Sequence, residues 1–234
     1  MRLSESSHLI AIVGGSGAGK TWLATELGSF LGQGAARLSL DQFYRDRSHL
    51  PPAGRERVNY DHPRAIDWPW FEHVLADCRA GRPTRLPEYD FSTHTRSARL
   101  RSWQPKAVVL IDGLWLLRRP RVRRQFDLRV FIDCPARVRL VRRLRRDRAN
   151  RGRESAGVRH RFRCQVAPLH RRFVAPQARW ADLVLKHPLT PTGAARLADR
   201  LWELVARRGP RPVGARAVFT TELRARLLRP GTVS

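Results

Sequence analysis

The chain has 234 residues, 42% of them apolar, and a formal net charge of +26 from 46 basic and 20 acidic residues. That length holds one generous α/β domain; no apolar run reaches membrane-spanning length, and the first residues lack the basic-then-apolar pattern of a secretory signal, so a cytoplasmic protein without a membrane partner is expected. Three widely spaced cysteines without C-x-x-C pairing argue against a disulfide framework and a structural zinc site.

In chain order, the apolar run Leu9-Ile10-Ala11-Ile12-Val13 predicts a buried parallel strand. It enters Gly14-Gly15-Ser16-Gly17-Ala18-Gly19-Lys20-Thr21, which fits the phosphate-loop pattern G-x-x-x-x-G-K-[ST]. Small residues let successive backbone N–H groups converge on a phosphate, and a helix starting near Gly19 adds its positive dipole end. Trp22, Leu23, Leu27, Phe30 and Leu31 supply that helix's spacing. Residues 36–40 read as a short second strand ending at Asp41, and 47–66, rich in Pro, Arg, His and Asp, as an ordered functional loop. Trp70, Phe71, Val74, Leu75 and Cys78 predict a helix that Gly81 and Pro83 terminate. Residues 86–96 are polar and aromatic without periodicity.

Further strands are predicted over 107–113, 128–133 and 181–185, with arginine-dense helices at 136–149 and 156–173 and another at 191–208. Residues 209–234 read as a loosely attached tail. The alternation predicts an α/β fold of the P-loop NTPase kind: a parallel sheet with helices on both faces, one catalytic domain over 1–208, an arginine-rich lid at about 143–160, and a C-terminal tail.

Phosphoryl transfer needs a triphosphate cradle, a metal with its carboxylate, an oriented acceptor and positive charge on the migrating group. Lys20 is suited to the β- and γ-phosphates of ATP, and the Thr21 hydroxyl with Asp112, at the end of an apolar strand, to Mg2+. Asp41 is the candidate catalytic base. Asp41 and Asp112 both carry a second reading, since Asp often caps the turn after a strand. Neighbours in the run Arg142 to Arg153 diverge by about 100° on a helix, so most are surface charges. Arg146, Arg151 and Arg153, beside Gly152, are the candidates to close over phosphates.

The net charge invites a nucleic-acid reading. Yet all basic residues except Lys20, Lys106 and Lys186 are arginine, spread along the whole chain without a recognition helix or an aromatic RNA-binding motif. A compositional bias accounts for it, and a nucleic-acid partner is not expected; a homo-oligomer stays open. Amid so much arginine, a compact lysine ammonium in the loop stands out.

With the phosphate loop, the segments Leu38-Ser39-Leu40-Asp41-Gln42-Phe43-Tyr44, Asn59-Tyr60-Asp61-His62-Pro63, Tyr89-Asp90-Phe91-Ser92-Thr93-His94-Thr95-Arg96 and Arg151-Gly152-Arg153 carry a resemblance. From about Ile10 to Leu185 the chain resembles the uridine kinases of the phosphoribulokinase and uridine kinase family. The resemblance implies ATP- and magnesium-dependent phosphorylation of the 5′-hydroxyl of uridine or cytidine in pyrimidine salvage. It implies Asp41 as base, Asp61 on the ribose hydroxyls, Tyr89 and Phe91 flanking the pyrimidine, His94 reading its exocyclic group, and Arg143 and Arg146 nearby. Outside the resemblance, Tyr89 and Phe91 read as core residues and His94 as a surface histidine.

The chain departs from the family's pattern at three places. Asp112 stands where Glu is usual, Trp22 where a small hydroxyl residue is common, and Arg161-Phe162 where a Gln-Tyr pair is usual. Two other readings are a related kinase acting on a nicotinamide riboside or pantothenate type of acceptor, and an ATP-binding or RNA-binding regulator without catalysis.

Overall fold

A computed structural model describes residues 6–151, 154–206 and 215–229, apart from the side chains of 150 and 151. Strand β1 (His8–Gly14) leads through the glycine-rich loop into helix α1 (Lys20–Leu31). Next come β2 (Ala35–Ser39), α2 (Pro52–Arg57), α3 (Trp68–Arg79), β3 (Thr84–Asp90), β4 (Thr95–Trp103) and β5 (Val108–Gly113). The chain continues through α4 (Pro120–Arg123), β6 (Leu128–Asp133), α5 (Ala136–Arg151), α6 (Ser155–Arg161) and α7 (Ala167–Leu169). It closes with β7 (Leu183–Lys186), α8 (Pro191–Ala206) and α9 (Ala215–Leu227).

Five strands form a parallel sheet in the order β2-β5-β1-β6-β7. Successive side chains of a strand point to opposite faces, and here both faces are covered. Leu9, Ala11 and Val13 join one core with Phe71, Val74 and Leu75 of α3. Ile10 and Ile12 join the other, with Leu23 and Leu27 of α1 and Leu197 and Leu201 of α8. The register sets Val13 beside Gly113, Gly14 beside Ile132 and Ser39 beside Asp112. The loop, Asp41 and Asp112 therefore share the carboxyl edge of the sheet, where open α/β sheets bind ligands.

Three features differ from the sequence reading. Residues 84–103 form an antiparallel hairpin, β3 with β4, and not an irregular segment. Pro87 and a register shift between Pro87 and Tyr89 interrupt β3, and β4 is exposed over most of its length, so no alternation of apolar residues marks either strand. The signal that was present is the turn chemistry at the tip: Asp90 Oδ1 accepts from the backbone N–H of Ser92 at 2.7 Å, and Asp90 Oδ2 from Thr93 Oγ1 at 2.9 Å.

The helix expected over 156–173 is divided as well. Wide, π-helical turns at Phe162–Val166 and His170–Val174 flank α7, which contains Pro168, a residue without an N–H to continue the ladder. Finally, residues 215–227 are not loosely attached. Leu223 and Leu227 of α9 are buried, Phe219 meets Phe30 edge to face at 4.9 Å, and Arg226 Nε donates to Glu26 Oε2 at 2.8 Å. The last residues of the tail, 230–234, and the connection 207–214 lie outside the described residues.

Candidate active site

The phosphate loop has the geometry its glycines predict. Gly17 and Gly19 adopt φ of 80° and 98°, the left-handed region that other residues occupy only with strain. A Cβ on Gly17 would lie 2.4 Å from the carbonyl oxygen of Arg139, so the turn admits no side chain there. Helix α1 opens at Gly19 without a side-chain cap and without an acid in its first turn. Its first N–H groups are therefore free to hold an anion. Lys20 Nζ donates to the Gly15 carbonyl at 3.1 Å, and burial pushes its pKa down against the attraction of Asp41 and Asp112. Next to the loop, Arg139 Nη1 is buried with no hydrogen-bond partner and would lie 2.7 Å from a Cβ on Gly15. An uncapped helix start, a half-buried lysine, a buried arginine and a glycine-rich cradle fit a polyphosphate.

Asp112, Ser39 and Thr21 are the candidate donors for a cation. Asp112 is 5% exposed, and burial raises its carboxyl pKa to about 6 while Ser39 Oγ donates to Oδ1 at 3.1 Å. Thr21 is exposed at the start of α1. One carboxylate and two hydroxyls are hard oxygen ligands of the kind magnesium takes when phosphates and water fill the remaining positions.

The capping alternative for Asp41 does not hold. Ser39 Oγ accepts from the Asp41 N–H at 3.4 Å and Gln42 Oε1 from the Ser39 N–H at 3.4 Å, so Ser39 and Gln42 cap the turn Leu40–Phe43 between them. Asp41 Oδ1 is left buried without a hydrogen-bond partner, on the wall of a cavity of about 330 Å³.

Asp41, Asp61, Phe91, His94, Arg143 and Arg146 all line that cavity, and Ser16 of the phosphate loop borders it. The Arg143 guanidinium makes a fork to Asp61, with Nη1 donating to Oδ1 at 3.1 Å and Nη2 to Oδ2 at 3.4 Å. Arg143 Nη1 also donates to Ser16 Oγ at 3.2 Å, which joins the cavity to the loop. Arg146 reaches Asp147 Oδ1 through Nε at 2.9 Å and Nη2 at 2.8 Å. His94, at φ 57°, stacks on Tyr60 with ring centroids 4.0 Å apart and planes 9° apart.

Tyr89 does not line the cavity. It stands behind, its hydroxyl 3.3 Å from His94 Nδ1 and its ring 5.2 Å from that of Phe91; burial raises its pKa. The Arg151 side chain, Gly152 and Arg153 lie outside the described residues.

Several participants escaped the sequence reading. Asp147 is fully buried in the arginine-rich α5, within 3.4 Å of Arg143 Nε and bonded to Arg146. With Arg139 and Arg143 it makes a buried stripe at i, i+4 and i+8, polar where a helix normally buries apolar residues, so apolar periodicity could not reveal it. The acid at i+4 from an arginine was the available clue. Arg96 clasps the loop to the hairpin: Nη2 donates to the Tyr44 carbonyl at 2.7 Å and Nη1 to Asp67 Oδ2 at 3.3 Å. His170 packs on the phosphate loop, its pKa lowered to about 4 by burial and by Arg139 and Lys20. At the departure from the family's pattern, Arg161 and, one turn on, Gln165 both reach the cavity wall.

Residues 9–192 match the model of the Phosphoribulokinase / Uridine kinase family. A uridine kinase of Deinococcus deserti is 41% identical over 180 residues, covering 76% of this chain and 87% of the relative. One from Halobacterium salinarum is 36% identical over 197 residues, covering 84% and 85%. Among solved structures, a putative fructose transport system kinase from Silicibacter sp. TM1040 superposes with a TM-score of 0.63 at 22% identity, covering 76% of this chain and 89% of the other. The phosphoribulokinase from Rhodobacter spheroides gives 0.59 at 15% identity, covering 77% and 70%. These two likenesses establish the fold.

Proposed function

Starting from a chain that belongs to the phosphoribulokinase and uridine kinase family and is a nucleoside kinase, we propose that it transfers the γ-phosphoryl group of ATP to the 5′-hydroxyl of uridine, and of cytidine, with magnesium. The observation that carries the reading is the shared cavity. The Asp41 side chain, the Asp61 and Arg143 pair, and the His94 and Tyr60 stack line one space that Ser16 joins to the phosphate loop.

In this mechanism Asp41 accepts the proton of the 5′-hydroxyl as its oxygen bonds to the γ-phosphorus and the bond to the ADP oxygen breaks. Asp61, oriented by Arg143, receives the ribose hydroxyls. Phe91 gives an apolar face to the pyrimidine, and His94 presents a ring nitrogen to its edge, as donor to a carbonyl or acceptor from an amine. The Tyr89 hydroxyl on Nδ1 biases that choice. Lys20, Arg143 and Arg146 hold positive charge where the migrating group gathers negative charge. Thr21 and Asp112 would hold magnesium, which neutralises charge on the phosphate oxygens when bound. Positioning and electrostatics then supply most of the rate. ATP as donor agrees with a cytoplasmic site of action; among the described residues no helix is long and apolar enough to cross a membrane.

The test is an ADP-release assay on the purified chain with uridine, cytidine, nicotinamide riboside and pantothenate, whose carboxylate would suit Arg161. Turnover confined to the pyrimidine nucleosides supports the proposal. Efficient turnover of another acceptor with none of either nucleoside overturns it.

A further inference from the structure

A second cavity, of about 270 Å³, lies on the other side of the phosphate loop, lined by Ala18, Gly19, Trp22 and Arg142 and by the turn Lys186 to Leu189 after β7. Leu23, Ile132 and Leu185 of the sheet and α1 close its base, and one wall is Leu227, Leu228 and Arg229, at the end of α9. This wall comes from beyond residue 192, where the family match ends. The helix that brings it is fixed to α1, the helix of the phosphate loop, by the Arg226 to Glu26 ion pair and the Phe219 to Phe30 contact.

The chemistry of the lining selects an occupant. Ala18 and Gly19 make the cavity continuous with the phosphate cradle, and Arg142 Nη1 would lie 3.5 Å from a Cβ on Gly19. Trp22 contributes a flat aromatic surface, Arg142 a planar cation, and Leu227 and Leu228 an apolar floor, a combination that suits a heteroaromatic ring. Trp22 is half-buried, so its ring borders the cavity while its Nε1–H is turned away from solvent.

We infer that Trp22 and the C-terminal end of α9 complete the pocket for the nucleobase of the phosphate donor, so that the segment beyond the family match sets donor affinity. This rests on the reading of a nucleoside triphosphate as donor. Trp22, the departure from the small hydroxyl residue usual after the loop, and α9 then form one unit: the larger side chain and the added helix enclose the same ring.

The test measures binding by titration calorimetry in the absence of acceptor, with two probes: ATP, and inorganic tripolyphosphate, which has phosphates and no base. The variants Trp22→Ser and Leu228→Ala are neutral, so the field at the loop is retained. Each is expected to weaken ATP about tenfold, the equivalent of ~1.4 kcal/mol, while tripolyphosphate binding stays within about twofold. Circular dichroism melts check that each variant is folded; should Trp22→Ser unfold, Leu228→Ala carries the test alone. Unchanged ATP binding, or equal weakening of both probes, overturns the inference. A wild-type chain that binds tripolyphosphate as tightly as ATP also overturns it. One that binds neither removes the triphosphate donor itself, and the inference with it, while leaving the acceptor assay as a separate question.

Discussion

The donor and acceptor halves of the site are built in opposite ways. On the donor side, eight consecutive residues carry the phosphate cradle, and their backbone conformation follows from their own glycines. On the acceptor side, the cavity gathers Asp41, Asp61, Phe91, His94 and Arg143 from four separate stretches of chain. Helix α5 divides the two: Arg142 lines the donor pocket and its neighbour Arg143 the acceptor cavity, as the turn of about 100° per residue requires. A local element tolerates change elsewhere in the chain, whereas a gathered one depends on the contacts that hold its segments in register.

The largest break between the halves is expected at Asp41. Asp41→Asn removes the base and leaves the donor cradle intact, so kcat falls about 10³-fold while ATP binding is retained. Near-normal turnover of this variant would take Asp41 out of the mechanism.

Asp61→Asn comes next. Weakening the fork to Arg143 is expected to raise KM for the nucleoside roughly 30-fold with KM for ATP within twofold. A matching rise for ATP would mean that Arg143, bonded to both Asp61 and Ser16, transmits the damage to the loop.

Asp112 tests the donor half through pH. Its carboxyl pKa is raised to about 6 by burial, so below that pH a cation must displace a proton. The magnesium concentration for half-maximal rate is expected to rise about tenfold per pH unit below 6. The raised value means that the folded chain binds the proton more tightly than the unfolded one. Ionised Asp112 thus costs stability above pH 6, and the cost vanishes below the unfolded value of about 4. Asp112→Asn should therefore raise Tm by roughly 5 °C at pH 8, leave it nearly unchanged at pH 4, and lose the magnesium response. A lower Tm at pH 8 would contradict this account.

The smallest effect sharpens the acceptor side. Tyr89→Phe keeps the ring packing and removes the hydroxyl on His94, so KM for uridine should rise about fivefold, the value of one hydrogen bond of ~1 kcal/mol. Steady-state kinetics giving no change would make Tyr89 a packing residue only.

Much of the sheet could be read before the structure, since the continuous apolar runs of β1, β5 and β6 and the alternation of β2 and β7 need only the period of two and the burial of both or one of the faces. The hairpin β3 with β4 could not, because its outer strand is exposed and arginine-rich and carries no apolar alternation. The segment around Pro168 read as one helix because spacing does not register a wide turn. The packed α9 was hidden by its weak amphipathicity: Phe219, Leu223 and Leu227 face inward, but exposed Val218 and interspersed arginines blur the stripe. At the site, Lys20 and Asp41 were legible from position alone. Tyr60, Asp147 and Arg96 were not, since their importance lies in contacts across the sequence.

The parallel sheet and the phosphate cradle are encoded locally, because strand period, glycine conformational freedom and converging N–H groups are properties of short, continuous segments. What stands around that cradle is set by packing between distant segments. Which arginines of α5 face which pocket, that the Asp41 side chain lines the acceptor cavity with Asp61 and His94, and that α9 walls the donor side all depend on contacts between distant segments, in which buried polar groups must find partners contributed by other elements.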